Sequence, residues 1–303
     1  MSVLAVGTVA FDSIETPFGR VEKVLGGSAT YLTLAARYFH QPVQLVSVVG
    51  GDFPAEYIEL LRSKSIDVTG LQIEPEGATF AWEGRYHYDL NHRDTLATHL
   101  NVLETFRPVL PEGYKESRIV CLGNLDPTIQ QEVLEQVNQP ELVICDTMNF
   151  WIEHTPQALR NTLQQVDVLI VNDSEARELA EEPNLVRAAR LIQQMGPEVV
   201  VIKKGEHGAL LFTEQDVFSA PAYPLEEVCD PTGAGDTFAG GFAGYLAQCP
   251  SIDQNALKKA VIYGSVMASF VVEEFGPSRL YALTPTDIEQ RLEAFRMLSR
   301  IPA

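Results

Sequence analysis

The seven residues Asp230–Asp236, with the order Asp-Pro-Thr-Gly-Ala-Gly-Asp, have the types and spacing for phosphoryl-transfer chemistry. They lead directly into an apolar, small-residue stretch, 237–247, that is predicted to be helical. The first N–H groups of a helix have no partner within it, and the helix dipole adds partial positive charge there. Such an end binds anions. A carboxylate base at Asp236, on the first turn, would lie beside a bound anion, which indicates transfer of a phosphoryl group to a hydroxyl.

The same motif has a second interpretation. An Asp beside a Gly-rich turn is a common helix cap in α/β proteins, and as a cap Asp236 would have no chemical role. On these seven residues alone, both interpretations stand.

The rest of the chain alternates between short β-branched runs and stretches with helical apolar spacing. Strands are predicted at 3–9, 43–49, 119–122, 142–145, 168–171, 199–202 and 209–212. Helices are predicted at 29–39, 55–63, 128–137, 155–165, 174–181 and 185–195. This alternation predicts an α/β fold with a mostly parallel sheet and helices on both faces. The last two strands, joined by a short connection, are expected to form a hairpin at the sheet edge.

Two segments, 13–25 and 78–101, depart from this rhythm. Both show strand-like alternation with polar and aromatic residues and have no helix between strands. Such strands do not suit a sheet that is buried on both faces. They are expected to form a small separate β-layer, such as a lid. Because no internal repeat or low-complexity linker interrupts the chain, residues 1–303 are predicted to form one domain with this lid.

Composition excludes several classes of partner. The formal net charge of −19 over 303 residues argues against nucleic acid and anionic membranes as partners, since both attract basic surfaces. No apolar run approaches the roughly 18 residues that cross a bilayer. Residues 1–9 lack the basic and apolar regions of a signal peptide, so a cytoplasmic location is expected. The four cysteines form no C-x-x-C pair, which gives no indication of a zinc site.

Three further residues are candidates for binding a ligand. Adjacent glycines, Gly26 and Gly27, precede a predicted helix and would let a ligand approach the backbone, or would serve only tight packing. Asp12 follows the first predicted strand, at the carboxyl end where open α/β sheets bind ligands. It could equally cap a loop.

In order and spacing, Asp12, Gly26-Gly27 and the motif 230–236 resemble the ribokinase-like (PfkB-type) family of carbohydrate kinases. The resemblance spans nearly the whole chain. It implies a ribokinase-like three-layer sandwich, a mostly parallel sheet with helices on both faces and a small β lid. It also implies ATP as phosphoryl donor with Mg²⁺.

The resemblance assigns roles residue by residue. Asp236 would be the base that takes the acceptor proton, and the backbone N–H groups of the loop before it would form the anion hole. Asp12 and the backbone of the two glycines would hold other hydroxyls of the acceptor. These residues are Asp236, Gly233, Ala234 and Gly235 for catalysis, and Asp12, Gly26 and Gly27 for the acceptor.

Other positions would serve the nucleotide and cations. Asn172 and Glu175 resemble the family's N-x-x-E motif, with Glu175 in a network of Mg²⁺, phosphates and water. The loop at Lys203, Gly205 and Gly208 matches one that runs along the nucleotide. Asp230 and Thr232 match positions whose backbone carbonyls bind a monovalent cation in some members, so K⁺ is a candidate. No Walker sequence G-x-x-x-x-G-K-[ST] occurs in the chain.

The chain also departs from the family pattern. Tyr31 stands where many members carry an Asn that contacts the acceptor, so the acceptor pocket is expected to differ. Lys203 stands where many members have Thr, and it would contact a phosphate or be solvated. In the lid, Asn91 and Arg93 are candidate substrate contacts, with packing or solvation as the alternative.

The predicted function is therefore an ATP-dependent kinase that phosphorylates a hydroxyl, first of all a hydroxymethyl group, of a small carbohydrate. A nucleoside kinase of the same fold is the alternative. A non-catalytic ligand-binding or regulatory protein is the alternative of another class. A dinucleotide oxidoreductase is disfavoured because no G-x-G-x-x-G follows the first strand. Since exposed lid edges often pair in the family, a homodimer through the lid is a further expectation.

Overall fold

The computed structural model of the chain describes residues 2–298. The strands are β1 (Val3–Val6), β2 (Ala10–Thr16), β3 (Gly19–Gly26), β4 (Val43–Gly50), β5 (Ile66–Glu74), β6 (Ala81–Tyr86), β7 (Arg93–His99), β8 (Ile119–Leu122), β9 (Leu142–Asp146), β10 (Val168–Asn172), β11 (Val199–Lys203), β12 (Ala209–Phe212) and β13 (Val217–Ala220). The helices are α1 (Ser28–Ala36), α2 (Ala55–Ser63), α3 (Pro127–Leu134), α4 (Asn149–His154), α5 (Pro156–Leu163), α6 (Asp173–Ala180), α7 (Leu185–Gln193), α8 (Ala234–Gln248), α9 (Gln254–Val271), α10 (Ser278–Ala282) and α11 (Pro285–Leu298). Within residues 2–298, no helix combines the length and apolar character needed to cross a membrane.

The larger sheet has nine strands in the order β13-β12-β11-β10-β9-β8-β1-β4-β5. From β11 to β5 every neighbouring pair is parallel, while β12 is antiparallel to both of its neighbours. Parallel strands with both faces covered read as continuous apolar runs, which explains why the central strands were visible in the sequence. The predicted mostly parallel sheet is confirmed.

Alternate residues of each central strand feed two different cores. On β1, Leu4 and Val6 belong to the core that also contains residues of α3, α5, α6 and α7. Val3 and Ala5 belong to the core shared with α1, α8 and α9. Because side chains along a strand alternate between faces, this division places helices on both sides of the sheet. The three-layer arrangement is therefore confirmed.

A second sheet of four strands, in the order β3-β2-β6-β7, contains the two segments predicted as a lid; we call this sheet the lid. It begins at Ala10 rather than at residue 13. Asp12 therefore lies within the lid strand β2, opposite Val24 of β3, and not in a loop that ends the first strand. The apolar and polar residues of β2 alternate too briefly for its start to be recognised from the sequence.

The edges of the large sheet differ from the prediction. The β11–β12 hairpin exists, but β13 pairs outside β12 and forms the edge. At the other edge β5, which was not predicted, pairs in parallel with β4. Both edge strands are partly exposed and lack a continuous apolar run, the signal that identified the central strands.

Helix α8 packs against the backbone of α1 through glycines. A Cβ atom on Gly240 would lie 2.3 Å from the carbonyl oxygen of Leu32, and one on Gly244 would lie 2.7 Å from that of Ala36. These distances leave no room for a methyl group. The small-residue composition of α8 therefore brings the two helices close together, and this contact sets the position of the first turn of α8.

We predict that Gly240→Ala lowers the free energy of unfolding by about 1–3 kcal/mol, because the methyl group would overpack against α1. Helix propensity alone would favour alanine by about 0.5–1 kcal/mol, so the sign of the change tests the packing. Gly113→Ala is the control, since a Cβ there meets nothing within 4 Å. Urea unfolding of both variants and of the wild type provides the measurement. A Gly240→Ala variant that is as stable as the wild type would contradict the close contact between α8 and α1.

Candidate active site

The first turn of α8 is built around Gly233, which is its N-cap residue with φ 73° and ψ 2°. A Cβ atom there would lie 2.5 Å from ring atoms of Tyr31, so both backbone conformation and space require glycine. The Tyr31 side chain is buried beneath the loop, and its hydroxyl has no hydrogen-bond partner among residues 2–298. Tyr31 thus supports the loop through its ring, while its predicted contact with an acceptor stays a prediction.

The loop leaves some of its backbone N–H groups unpaired. The N–H of Ala234 donates to the carbonyl of Pro231 at 3.2 Å, so this predicted anion-hole donor is engaged in a turn. For Gly233 and Gly235 the structure shows no N–H partner within residues 2–298. These groups, at the positive end of α8, are the ones that are available to an anion.

Asp236 lies half-buried on the first turn of α8. Burial raises the pKa of this carboxyl to about 7, and the negative charge of Asp146 contributes in the same direction, while Lys203 and Arg93 oppose the rise. A carboxylate with a pKa near neutrality is a better proton acceptor than an ordinary aspartate. The geometry therefore places a carboxylate of raised pKa on the same turn as the unpaired N–H groups.

Asp12 is a second carboxylate in this region, and it is 5% exposed. A Cβ atom on Gly26 would lie 1.9 Å from its Oδ2, so Gly26 makes room for this carboxylate. Gly27 has φ 92°, and a Cβ there would lie 2.5 Å from the carbonyl oxygen of Thr8. The glycine pair thus shapes the junction of β3 and α1. Burial raises the pKa of Asp12 to about 7, although a hydrogen bond from the Gly27 backbone lowers it.

Several lid residues lie close to the predicted site residues. We call the loop that leads into α8, residues 230–235, the anion loop. The hydroxyl of Thr232 in this loop donates to that of Tyr86 on β6 at 3.2 Å. Arg93 lies close enough to act electrostatically on both Asp12 and Asp236. Burial raises the pKa of each carboxyl, and the positive charge of Arg93 opposes part of that rise. Asn91 lies elsewhere: a Cβ on Gly205 would be 2.6 Å from its Oδ1. Arg93 is therefore near the predicted acceptor carboxylate, whereas Asn91 lies against the predicted nucleotide loop.

Asn172 and Glu175 form a reciprocal cap at the start of α6. The N–H of Glu175 donates to Oδ1 of Asn172, and the N–H of Asn172 donates to Oε2 of Glu175, both at 2.8 Å. This capping box accounts for the N-x-x-E spacing and engages the side-chain oxygen of Asn172, a residue that was predicted to serve the nucleotide. Burial, and then the charge of Asp146, raise the pKa of Glu175 to about 7.

Lys203, at the end of β11, is not solvated. Its Nζ lies 3.5 Å from Oδ2 of Asp146, with 17% and 12% of the two side chains exposed. Burial lowers the pKa of Lys203, but the carboxylates of Asp146, Glu175 and Asp236 outweigh it and raise the pKa overall. A permanent positive charge therefore sits within a group of acids.

The remaining predicted residues have structural contacts. Gly208 has φ 84°, and a Cβ there would lie 2.1 Å from the carbonyl oxygen of Ala220, so β13 occupies this space. Asp230, 1% exposed, accepts hydrogen bonds from the N–H groups of Thr232 at 2.8 Å and Gly276 at 2.9 Å. This carboxylate holds the anion loop to the segment after α9. The predicted monovalent cation at the Asp230 and Thr232 carbonyls stays a prediction.

A sequence profile described as pfkB family carbohydrate kinase matches residues 3–282. The chain belongs to this family. It is accordingly a phosphotransferase that acts on an alcohol group of a sugar or nucleoside.

Relatives of this kinase have specific names. A cytidine kinase of Thermococcus kodakarensis is 29% identical over 282 residues, which cover 91% of this chain and 98% of the relative. A nucleoside kinase of Methanothermobacter thermautotrophicus is 28% identical over 290 residues, 90% of either chain. A Burkholderia thailandensis nucleoside kinase, solved in complex with inosine, matches with a TM-score of 0.74 at 20% identity, covering 96% of both chains. The last comparison supports the ribokinase-like fold.

Sequence reasoning did not single out Asp146, which the structure places 3.5 Å from Lys203. The predicted strand ended at residue 145, whereas β9 continues through Asp146. The available signal was a carboxylate at the end of a buried strand, Leu-Val-Ile-Cys-Asp, which is the same signal that singled out Asp12. Nothing local shows that the partner of this carboxylate is Lys203, because the two residues are brought together by strand order.

We predict that Asp12→Asn stabilises the unliganded kinase by about 1–3 kcal/mol at pH 8. The raised pKa of Asp12 means that the folded state holds a proton between about pH 4 and 7 that the unfolded state has lost, so this group's contribution to stability falls as pH rises. Asn keeps an acceptor for the Gly27 N–H without the buried charge. Urea unfolding at pH 8 and pH 5 should show a smaller gain at pH 5; a gain independent of pH would contradict the buried charge.

Proposed function

We propose that this kinase phosphorylates a hydroxymethyl group of a nucleoside, with ATP and Mg²⁺ as the donor. The observation that carries the proposal is the placement of Asp236, a base with a raised pKa, on the turn where Gly233 and Gly235 leave N–H groups unpaired. Phosphoryl transfer to a hydroxyl uses a base for the acceptor proton and fixed donors for the charge of the moving group, and this turn provides both.

In the proposed reaction the acceptor hydroxyl lies against Asp236. The bond between the terminal phosphorus and the bridging oxygen of ATP breaks as the acceptor oxygen bonds to phosphorus, and the acceptor proton passes to the Asp236 carboxylate. The N–H groups of Gly233 and Gly235 donate to the oxygens of the moving phosphoryl. They are held by helix packing before the substrate arrives, so no rearrangement opposes the developing charge.

Asp12 and Arg93 are proposed to bind the acceptor away from the reacting hydroxyl. A carboxylate that is buried in the apo protein is costly, and its pKa of about 7 records that cost. Hydroxyls of a ribose ring would donate to this carboxylate and replace the lost water. Arg93, on the lid, supplies a charge that would favour the ionised form once the cleft is occupied.

The residues present suit Mg²⁺ bound through phosphates. Among residues 2–298 no group of three or more His, Cys, Asp or Glu side chains is arranged to hold a metal by itself. Mg²⁺ characteristically keeps several waters and uses one or two carboxylates together with substrate phosphates. Glu175 has one oxygen in the capping box and the other without such a contact, so it would provide a ligand or hold a bound water. Bound Mg²⁺ would neutralise phosphate charge.

The choice of a nucleoside over a free sugar is supported by the relatives. The names cytidine kinase and nucleoside kinase belong to proteins that align along almost the full chain. The nucleoside kinase, which was the alternative from the sequence, therefore fits better than a kinase of a small carbohydrate. Tyr31, which departs from the family pattern, and Tyr86 of the lid lie near Asp12, the proposed acceptor carboxylate, where such a difference in substrate would be decided.

We predict that Asp236→Asn lowers kcat by about 10²–10⁴-fold, because one positioned base is lost. Nucleotide affinity should change little. Asp253→Asn is the matched control: Asp253 caps α9 by accepting from the N–H of Ala256, and Asn caps equally well. Steady-state release of ADP measures both, and a decrease of only a few-fold for Asp236→Asn would show that this carboxylate is not the base.

We predict turnover with nucleosides and little with free ribose or hexoses. A 5′-deoxynucleoside should bind and inhibit without being phosphorylated, because it keeps the ring hydroxyls but lacks the hydroxymethyl group. A panel of nucleosides, sugars and polyols, followed by ADP release and product mass, makes the measurement. Turnover restricted to free sugars would contradict the proposal that the substrate is a nucleoside. It would still agree with the assignment of the protein as a phosphotransferase.

A further inference from the structure

The buried pair of Asp146 and Lys203 has no role in the reaction described above. We propose that Asp146 is a positioning residue that holds the Lys203 ammonium against the anion loop, and that Lys203 there contacts the phosphoryl group while it is being transferred. This inference rests on the proposed phosphotransfer. It gives Lys203 a catalytic role at the moving group, which is distinct from the contact along the resting nucleotide that the sequence predicted.

The topology of the sheet creates the pair. Asp146 ends β9 and Lys203 ends β11, and β10 lies between these two strands. Lys203 is in register with Asn172 of β10, and Asp146 with Ile170. Adjacent strands are about 4.8 Å apart, so β9 and β11 lie about 10 Å apart. The long lysine side chain and the Asp146 side chain together bridge this distance, with 3.5 Å between Nζ and Oδ2, and the ammonium therefore lies over the carboxyl edge of the sheet.

The ammonium also touches the anion loop. A Cβ atom on Gly235 would lie 2.7 Å from Nζ of Lys203 and 3.7 Å from its Cε. The missing side chain of Gly235 is therefore what provides space for the ammonium. Because the N–H of Gly235 is one of the unpaired donors, the fixed charge and the backbone donor are adjacent.

The ion pair leaves hydrogen-bonding capacity on the ammonium. The Nζ–Oδ2 distance of 3.5 Å is longer than the roughly 2.7–2.9 Å of a strong charge-assisted hydrogen bond. Among residues 2–298, Asp146 is the one side chain in ion-pair contact with Lys203. An ammonium has three N–H donors. At least two of them remain for oxygens of a phosphoryl group that enters the loop.

The positive charge of Lys203 lies among carboxylates that would repel a phosphoryl group. Asp146 and Glu175 both raise the pKa of Lys203 against the effect of burial, and Asp236 does the same, so three acids surround this charge. A phosphoryl group that carries negative charge would be repelled by those acids. A cation fixed beside Gly235 offsets the repulsion at the place where charge develops, and a preorganised charge needs no rearrangement during transfer. Burial raises the pKa of Asp146, while the ammonium of Lys203 lowers it. Lys203 donates hydrogen bonds and keeps its protons, so no proton is added to the reaction.

The test is a double-mutant cycle with Asp146→Asn, Lys203→Met and the double variant. Removing the lysine charge should lower kcat by about 10²-fold and leave the KM for ATP within about 3-fold, since the contact forms mainly in the transition state. Asp146→Asn should lower kcat by about 10-fold or more in the wild-type background. In the Lys203→Met background it should have almost no further effect, because its role is exerted through Lys203.

A second readout does not require turnover. Lys203→Met should weaken binding of ADP with aluminium fluoride in the presence of acceptor, a mimic of the phosphoryl in transit, far more than it weakens binding of ATP alone. Equal losses for both ligands would overturn the catalytic role of Lys203. An Asp146→Asn defect that persists in the Lys203→Met background and is relieved by added Mg²⁺ would assign Asp146 to the metal and overturn the positioning role.

Stability is controlled within the same set. A single variant removes one member of a buried ion pair, whereas the double variant replaces the pair with neutral side chains of similar size and is expected to fold. If the singles do not fold, the double variant alone decides: wild-type kcat in it overturns the proposal. If the wild-type kinase phosphorylates no acceptor, the proposed function fails; if it does so and all variants match it, only this inference fails.

Discussion

The site depends on the close approach of α8 to α1. Glycines at 240 and 244 bring the two helices into backbone contact, and Gly233 packs against the ring of Tyr31. These contacts fix the position of the first turn of α8 relative to the sheet. That position decides where the unpaired N–H groups lie and how far Asp236 is from Lys203. Small residues that first indicate an anion site in the sequence thus serve a second purpose, which is to place that anion site by packing.

A surplus of buried acid is the second constraint, and it follows from the first. Asp12, Glu175 and Asp236 all have pKa values raised to about 7, with burial as the first cause in each case. An unliganded protein that keeps such groups gives up stability in exchange for a cleft that favours hydroxyl donors and cations. Lys203 and Arg93 offset part of the negative charge from opposite sides, one from the sheet and one from the lid.

Much of this protein could be predicted, for identifiable reasons. The central strands are apolar throughout because both of their faces are covered, and the anion loop is a contiguous motif, so each is written in consecutive residues. The edge strands β5 and β13 lack that continuous signal. Asp12 was recognised as important but assigned to a loop, since a short lid strand and a loop look alike in sequence. Asn91 was predicted for the acceptor, yet the tip of the lid hairpin carries it to Gly205.

By itself the sequence determined the fold class and the class of reaction, and it predicted Asp236 as the base, because these reside in local patterns of residue type and spacing. The tertiary structure alone decided which charges meet. Asp146 and Lys203 are 57 residues apart in the chain and touch because β9 and β11 flank β10. It also decided that Gly26 and Gly208 make room for protein atoms. Contacts of this kind depend on strand order and close packing, which bring together residues that share no local pattern.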